Sequence, residues 1–402
     1  MGLTEAALLE DVRQRLFAPT RSNAPRAIGL ELELIPILRS SRKPALANTG
    51  EGPTTSAALS RLAARERWNE VRAEKDPPSW KLDDGSSISF EPGGQIEIST
   101  APHPTASAVI EAARRLVDRI AGVMSQDGIE LLARGVDPYN GIESVPLQLR
   151  RARYTGMTQY FESIGPSGIR MMRQTAALQI NLERGPDPSS RWRLLNALAP
   201  IVVALFANSR DYAGAPTDWA SYRAQLWRTL DPSRTGIVYD SVDEAAEYLR
   251  FALDAGAMRA PNGGVHRSFR QWMPDPSVDR EEWLFHLSTL FPEVRPKEFL
   301  ELRSADTIEP NALAAPVVFV TGLVYDGANA AYASDLIGPP SSELLERAGR
   351  LGLDDKDVHR LASTLVERSL EGAHRLGADY ITPAHIEEAA RYFARALAAH
   401  DI

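Results

Sequence analysis

Four short segments alternate apolar residues with acids, amides or arginine. They are Gly29-Leu30-Glu31-Leu32-Glu33-Leu34, Gln95-Ile96-Glu97-Ile98, Leu178-Gln179-Ile180-Asn181-Leu182 and Phe299-Leu300-Glu301-Leu302-Arg303. A period of two marks a β-strand with one dry and one wet face. With Glu91 just before Gln95, the wet positions hold Glu31, Glu33, Glu91, Glu97, Gln179, Asn181, Glu301 and Arg303, and no lysine. Gathered on one sheet, these positions form a dense carboxylate surface. Like charges side by side repel, so such a surface needs cations. Mg²⁺ is the simplest hard cation for carboxylate oxygens.

Each element of this set has a chemical and a structural reading. Glu31 and Glu33 stand about 7 Å apart on one strand face, a spacing that suits two metal ions or two edges of a cluster, or an ordinary solvated strand. Glu91 and Glu97 flank Pro92-Gly93-Gly94. The two glycines either let a phosphate reach the backbone or only satisfy a turn. Thr175, Gln179 and Asn181 share strand parity, which fits recognition of an amino acid or phosphate, or a polar cross-strand ladder. Arg223, Trp227, Arg228 and Arg234 cluster in sequence. Their guanidinium groups match carboxylate or phosphate, or decorate an exposed helix. Glu301, Arg303 and Asp306, with Glu293 and Arg295 upstream, offer metal and phosphate contacts side by side, or an ion pair within the sheet. Trp283 and His286 read as core or supporting residues.

The elements that must position these residues are dispersed. Helices are expected over 4–17, 54–66 with Thr54 as N-cap, 105–126, 156–164 carrying Met157, Tyr160 and Phe161, 190–207 and 280–290. From about 309 the chain reads as almost wholly helical, its last helix starting at Thr382-Pro383 and running to about 398. Strands fall near 87–91, 96–98, 129–135 and 175–183, and Pro92-Gly93-Gly94 predicts a hairpin between the first two. Strands scattered among helices without a βαβ repeat favour an α+β fold with an antiparallel sheet. The chain reads as one catalytic domain over 1–402, with a core of about 27–330 and a helical C-terminal portion of about 331–402.

Composition narrows the chemistry. The 402 residues are 44% hydrophobic, enough for one large core or two smaller ones. A net charge of −8 argues against nucleic-acid binding. The longest apolar run, 199–207, is too short for a bilayer, and the first residues lack a signal-peptide pattern, so a cytoplasmic protein without a membrane partner is expected. The absence of cysteine removes thiolate nucleophiles, disulfides and Cys-based metal sites. There is no P-loop, no Gly-x-Gly-x-x-Gly after a strand and no Gly-x-Ser-x-Gly. No residue pattern assigns an oligomeric state.

The segments Gly29–Glu33, Glu91-Pro92-Gly93-Gly94-Gln95-Ile96-Glu97-Ile98-Ser99, Thr175–Leu182, Leu205-Phe206-Ala207-Asn208-Ser209, Tyr222–Trp227, Ser233-Arg234-Thr235-Gly236, Leu290–Pro296 and Leu300–Asp306 occur in family order. Over about 28–330 the chain resembles the plant-type glutamate–cysteine ligase family, and within it the actinobacterial branch that makes γ-glutamylcysteine for ergothioneine biosynthesis. The resemblance implies a glutamine-synthetase-like fold, a curved antiparallel sheet with helices on its outer face. The concave face would hold ATP, Mg²⁺, L-glutamate and L-cysteine. By the same resemblance Glu31, Glu33, Glu91, Glu97 and Glu301 are Mg²⁺ ligands. Arg223 and Thr175 contact glutamate, and Arg303 contacts the transferred phosphoryl group. Gln179, Asn181, Trp227 and Arg234 are expected to complete the substrate wall, and Gly93, Gly94 and Arg295 to face the nucleotide. Arg303 and Arg223 are the catalytic pair. The plant enzymes have Arg where this chain has Gln174, and they carry redox cysteines that are absent here. The rivals are a ligase of the same fold with another amine acceptor, and a guanidino phosphotransferase. Whether the product feeds ergothioneine or glutathione biosynthesis is left open.

Overall fold

The computed structural model describes residues 3–20, 26–48, 52–72, 76–239, 243–260 and 267–400. Its centre is a nine-stranded sheet. The strands are β1 (Ile28–Leu38), β2 (Asn69–Val71), β3 (Ser79–Lys81), β4 (Ser87–Phe90), β5 (Ile96–Ser99), β6 (Ile129–Leu132), β7 (Ala177–Leu182), β8 (Val294–Pro296) and β9 (Leu300–Asp306). Their order is β8-β9-β7-β1-β5-β4-β3-β2, and β6 pairs with the far half of β1. All these pairings are antiparallel.

Register turns the alternation into one polar face. Glu33 pairs with Glu97, Glu31 with Ser99 on one side and Gln179 on the other, Glu301 with Asn181, and Arg295 with Glu301. The opposite parity, including Leu30, Leu32, Leu34, Ile98, Ile180 and Leu302, is buried in the core. Burying each such side chain contributes about 1.5–3 kcal/mol, so a one-residue slip of any strand is strongly opposed. The helices Ala106–Gln126 and Pro188–Leu205 cover the apolar face.

Most of the expected elements form. Thr4, Thr105 and Thr382 cap their helices by accepting from the N–H three residues on. Thr54 sits at its N-cap position without a side-chain bond. The helix expected at 156–164 forms as Ala152–Glu162, starting a turn earlier, and a second helix, Pro166–Gln174, follows Gly165 and was not anticipated. Strands β2 and β3 are too short to show a period and went unread. In the C-terminal part the helix Ala314–Val324 is buried at every position, against Lys356–Leu376 and Pro383–Ala398. Among the described residues no single helix is long and apolar enough to cross a membrane.

The Pro92-Gly93-Gly94 turn joins β4 to β5 as expected, and close packing explains its glycines. A Cβ on Gly93 would lie 1.9 Å from the carbonyl oxygen of Arg173. Gly94 has φ +92°, and a Cβ there would meet the Gln148 amide at 2.2 Å. Gln95 clamps the turn, accepting from Gly93 N at 3.0 Å and donating to the Thr175 carbonyl at 2.7 Å. Gly93→Ala is expected to cost more than about 2 kcal/mol in denaturant unfolding, because backbone must move to admit the methyl group. Gly122→Ala, on an exposed turn of the helix Ala106–Gln126 with nothing within 4 Å, should instead stabilise by about 0.5–1 kcal/mol.

Candidate functional site

Glu33 from β1, Glu97 from β5 and Glu91, which follows directly on β4, converge, with one carboxylate oxygen of each within 4.8 Å of the others. Glu33 accepts from Ala177 N at 2.8 Å and from Gln179 Nε2 at 3.1 Å. Glu97 accepts from Ser89 Oγ at 2.9 Å. Among the described residues no lysine or arginine ion-pairs with any of the three. Burial, and then Glu97, push Glu33 up to about 7. Burial, then Glu97 and Glu33, push Glu91 well above the usual carboxylate range. Glu31 is also raised, by burial first and then by Glu301 and Glu97. Three hard oxygen donors that cannot comfortably ionise together fit a divalent cation.

Glu301 is the opposite case. It is fully buried and accepts from Arg295 Nε at 2.6 Å, Arg303 at 2.6 Å and Lys297 Nζ at 2.5 Å. Burial pushes its pKa up, yet these cations hold it far below the usual range. The five predicted carboxylates are therefore divided. Three converge with no cation, Glu31 lies between, held by Asn181 Nδ2 at 2.9 Å, and Glu301 is committed to three bases.

Arg303 reaches the cleft from a β-bulge. Leu302 pairs with Ile180 and Ala305 with Leu178, so Arg303 and Ser304 together oppose Gln179. A bulge re-aims a side chain and leaves backbone groups outside the ladder. Arg303 N donates to the Glu293 carbonyl at 2.9 Å, and Ser304 Oγ to Glu293 Oε2 at 2.6 Å. Arg223 donates to the Arg303 carbonyl at 2.8 Å and to the Ser304 carbonyl at 3.5 Å. Asp306 stands 3.8 Å from Arg223 and accepts from Asn208 N, Ser209 Oγ and Ser221 Oγ at 2.8, 2.6 and 2.9 Å. The Arg303 side chain donates to Gln179 Oε1 at 2.7 Å, and its buried Nε has no partner.

The cleft holds about 150 Å³ and is lined by Glu31, Glu33, Glu91, Glu97, Thr175, Gln179, Trp227, Arg295 and Arg303 from the predicted set. Thr175 lines it with its hydroxyl already donated to the Met171 carbonyl at 2.7 Å. Asn181 borders Glu31, and its buried Oδ1 has no partner. Trp227 donates Nε1 to the Phe291 carbonyl and has Arg223 and Arg303 at 4.8 and 5.3 Å from its ring centre.

Four expected contacts are placed elsewhere. Gly93 and Gly94 do not line the cleft, because the Arg173 backbone and Gln148 occupy the space in front of them. Arg223 supports the bulge rather than facing the cleft, because the bulge carbonyls and Asp306 take up its guanidinium. Arg234 is completely buried as a strut, bonded to Asp231 at 2.8 Å, to the Thr289 carbonyl at 2.9 Å and to the Gly256 carbonyl. Gln174 is likewise internal, donating to the Asn140 carbonyl. His286 is buried and neutral, held down to about 3 by burial and Arg234, with Nε2 donating to the Ala252 carbonyl.

Sequence reading missed Arg153 and Tyr154, at the start of the helix Ala152–Glu162, and the apolar wall of Met157, Met171, Met172 and Phe291. Burial, with Glu91 nearby, pushes Tyr154 up to about 12. Met157 alone had been placed on a helix in advance. The other residues carry no local pattern that distinguishes cleft from core.

Sheet order, helices on one face and the acid-lined other face place the chain in the glutamine-synthetase-like fold of ligases. The solved structure of glutamate–cysteine ligase from Francisella tularensis in complex with AMP shares this fold, with a TM-score of 0.55 over 94% of this chain and 83% of that one at 12% identity. Residues 53–394 match the profile of glutamate–cysteine ligase family 2, and the chain belongs to that family. It is an enzyme of the ligase class. It is 35% identical to glutamate–cysteine ligase EgtA of Mycolicibacterium smegmatis over 350 residues, 82% of this chain and 79% of that protein. It is 32% identical to the chloroplastic glutamate–cysteine ligase A of Oryza sativa over 349 residues, 79% and 70% of the two chains.

Two predictions follow from the geometry. In buffer free of divalent cations, folding lifts the protonation range of Glu33 from its ordinary value of 4.5 to about 7. The folded state then binds more protons than the unfolded one between those values, so stability falls as pH rises across that window. Glu97→Gln should raise Tm above neutral pH in EDTA and flatten this decline, and Mg²⁺ should raise the parent's Tm more than the variant's. Arg223→Met should destabilise by about 3–5 kcal/mol by leaving Asp306 buried and unpaired. Adding Asp306→Asn should recover much of that stability in denaturant titrations but no turnover, since the bulge remains unsupported.

Proposed function

We propose that the enzyme joins the γ-carboxyl of L-glutamate to the amine of L-cysteine, using ATP and Mg²⁺ and passing through γ-glutamyl phosphate. The observation that carries this reading is the cation-free triad Glu33, Glu91 and Glu97 sharing one cleft with Arg303 and Arg295. The family supplies the ligase chemistry. Mg²⁺ held by the triad would neutralise polyphosphate charge and polarise its oxygens.

The chain's own groups act as follows. Arg303, which lines the cleft and has a buried Nε without a partner, orients the γ-phosphoryl group and offsets charge as a glutamate oxygen attacks phosphorus. Arg295 and Arg153 line both the cleft and an adjoining cavity of about 390 Å³ that also has Arg15 and Lys297 on its wall, which gives a polyphosphate a cationic path beyond the cleft. Asn181, through its free Oδ1, and Gln179 hold the polar ends of glutamate. The amine then attacks the acyl carbon and phosphate leaves. Met157, Met171, Met172 and Phe291 keep water from that acyl phosphate. No protein nucleophile is needed, in keeping with a chain without cysteine.

The test is incubation with ATP, Mg²⁺, glutamate and a panel of amines, measuring phosphate release and product mass. γ-Glutamylcysteine formed with stoichiometric ADP is expected, and Glu97→Gln should lower kcat at least about 1000-fold while remaining folded. ADP formation without an amide would overturn the ligase reading in favour of phosphotransfer. An amide formed with a different amine and none with cysteine would overturn the named acceptor.

A further inference from the structure

A second cavity of about 450 Å³ shares no lining residue with the catalytic cleft. It opens between the segment following β6, the turn after the helix Pro188–Leu205 and the C-terminal helix Pro383–Ala398. Its volume is in the range of small-molecule sites. Its charged lining is lopsided, with Arg134 and Arg210 against Asp211, and His400 stands beside them. Arg134 donates to Asn208 Oδ1 at 2.6 Å, and among the described residues it has no carboxylate within ion-pair distance. Most of its five N–H donors are therefore unengaged. Arg210 is 3.9 Å from Asp354, a carboxylate it shares with His400 at 2.6 Å. The rest of the wall sets apolar Val136, Leu205, Leu353 and the Tyr392 ring beside polar Asn208 and Ser209.

Two residues of this lining reach the group that supports Arg303. They are Asn208 and Ser209, and both donate to Asp306. Asp306 faces Arg223, and Arg223 holds the carbonyl of Arg303. The Asn208 side chain has three holds: Arg134 on Oδ1, and its own Nδ2 donated to the Ala133 and Thr307 carbonyls at 2.8 and 2.9 Å. An anion that engages Arg134 competes for the first of these.

We propose that this cavity is a second ligand site, for a small molecule bearing one carboxylate or phosphate on an apolar body, and that its occupancy alters how Arg303 is held through Asn208, Ser209, Asp306 and Arg223. The anionic group pairs with Arg134 in the bidentate manner of guanidinium recognition, and the body covers the apolar wall. The ligand-site half stands on the cavity alone. The half concerning Arg303 rests on the ligase reading.

Calorimetric titration of the full chain with phenylphosphate and with phenylacetate tests the site, and the two probes separate the head groups. At least one should bind, at least tenfold tighter than inorganic phosphate, and phenethylamine should not bind. Arg134→Gln should weaken binding at least tenfold. Ala396→Trp, which fills the cavity from the C-terminal helix, should abolish it. Ligase turnover at half-saturating glutamate should change at least twofold with the bound probe in the parent and not in Ala396→Trp. The proposal is overturned if neither anion binds, if binding survives both substitutions, or if the bound probe leaves turnover unchanged. Should Ala396→Trp fail to fold, the exposed Arg134→Gln decides alone. A chain that makes no amide under any condition would sink the ligase reading, and titration would still decide the site.

Discussion

The constraint on which this molecule turns is that five glutamates on one sheet face cannot all remain ionised without positive charge. At an effective dielectric near 20, two unit charges about 4 Å apart interact by about 4 kcal/mol, a sizeable fraction of a domain's stability. The fold answers the problem twice. At the β8–β9 edge the protein supplies its own cations, and Arg295, Lys297 and Arg303 surround Glu301. At the β1–β5 side no lysine or arginine among the described residues forms an ion pair with Glu33, Glu91 or Glu97, and the three retain a repulsion that a divalent ion can relieve. The difference between these ends gives the cleft its direction, with a cation-seeking wall facing an anion-seeking one.

The second organising device is the bulge in β9. A regular strand would keep Arg303 in the ladder, with its neighbours' backbone groups paired to β7. The extra residue re-aims the side chain and leaves carbonyls that need donors. Arg223 meets that need, and Asp306 with two serines and a backbone N–H holds Arg223 in place. The residues Leu300–Asp306 thus combine the cleft arginine with the anchor of its own support. Buried ionic groups of this kind cost desolvation, and they survive because nearly every oxygen has a partner.

Much of this could be read in advance. The period-two alternation was enough to identify β1, β5, β7 and β9, and parity alone assigned Glu31, Glu33, Glu97, Gln179, Asn181, Glu301 and Arg303 to one face. The N-cap at Thr382 was legible because capping is local, whereas Thr54 holds its N-cap position without a side-chain bond. Strands of three residues carry no period, and the short helix Pro166–Gln174 beyond Gly165 went unread. Arginines were the least legible. Arg223, Arg234 and Arg303 have the same chemistry, yet one clamps a bulge, one is an internal strut and one faces the cleft. The glycines of the 92–94 turn misled in a similar way. Their lack of side chains is compatible with a phosphate, but the space in front of them belongs to Arg173 and Gln148.

What the chain by itself determined was the sheet's two-faced character, the acidity of one face, the absence of covalent catalysis by cysteine and the family, because these depend on residue type and on spacings of two to four. Only the tertiary structure decided which acids meet without a cation, which arginine reaches the cleft and where the second cavity lies. Those outcomes depend on register between strands far apart in sequence and on which groups are already satisfied by neighbours. A residue's partners are a property of the packed whole, and no local pattern encodes them.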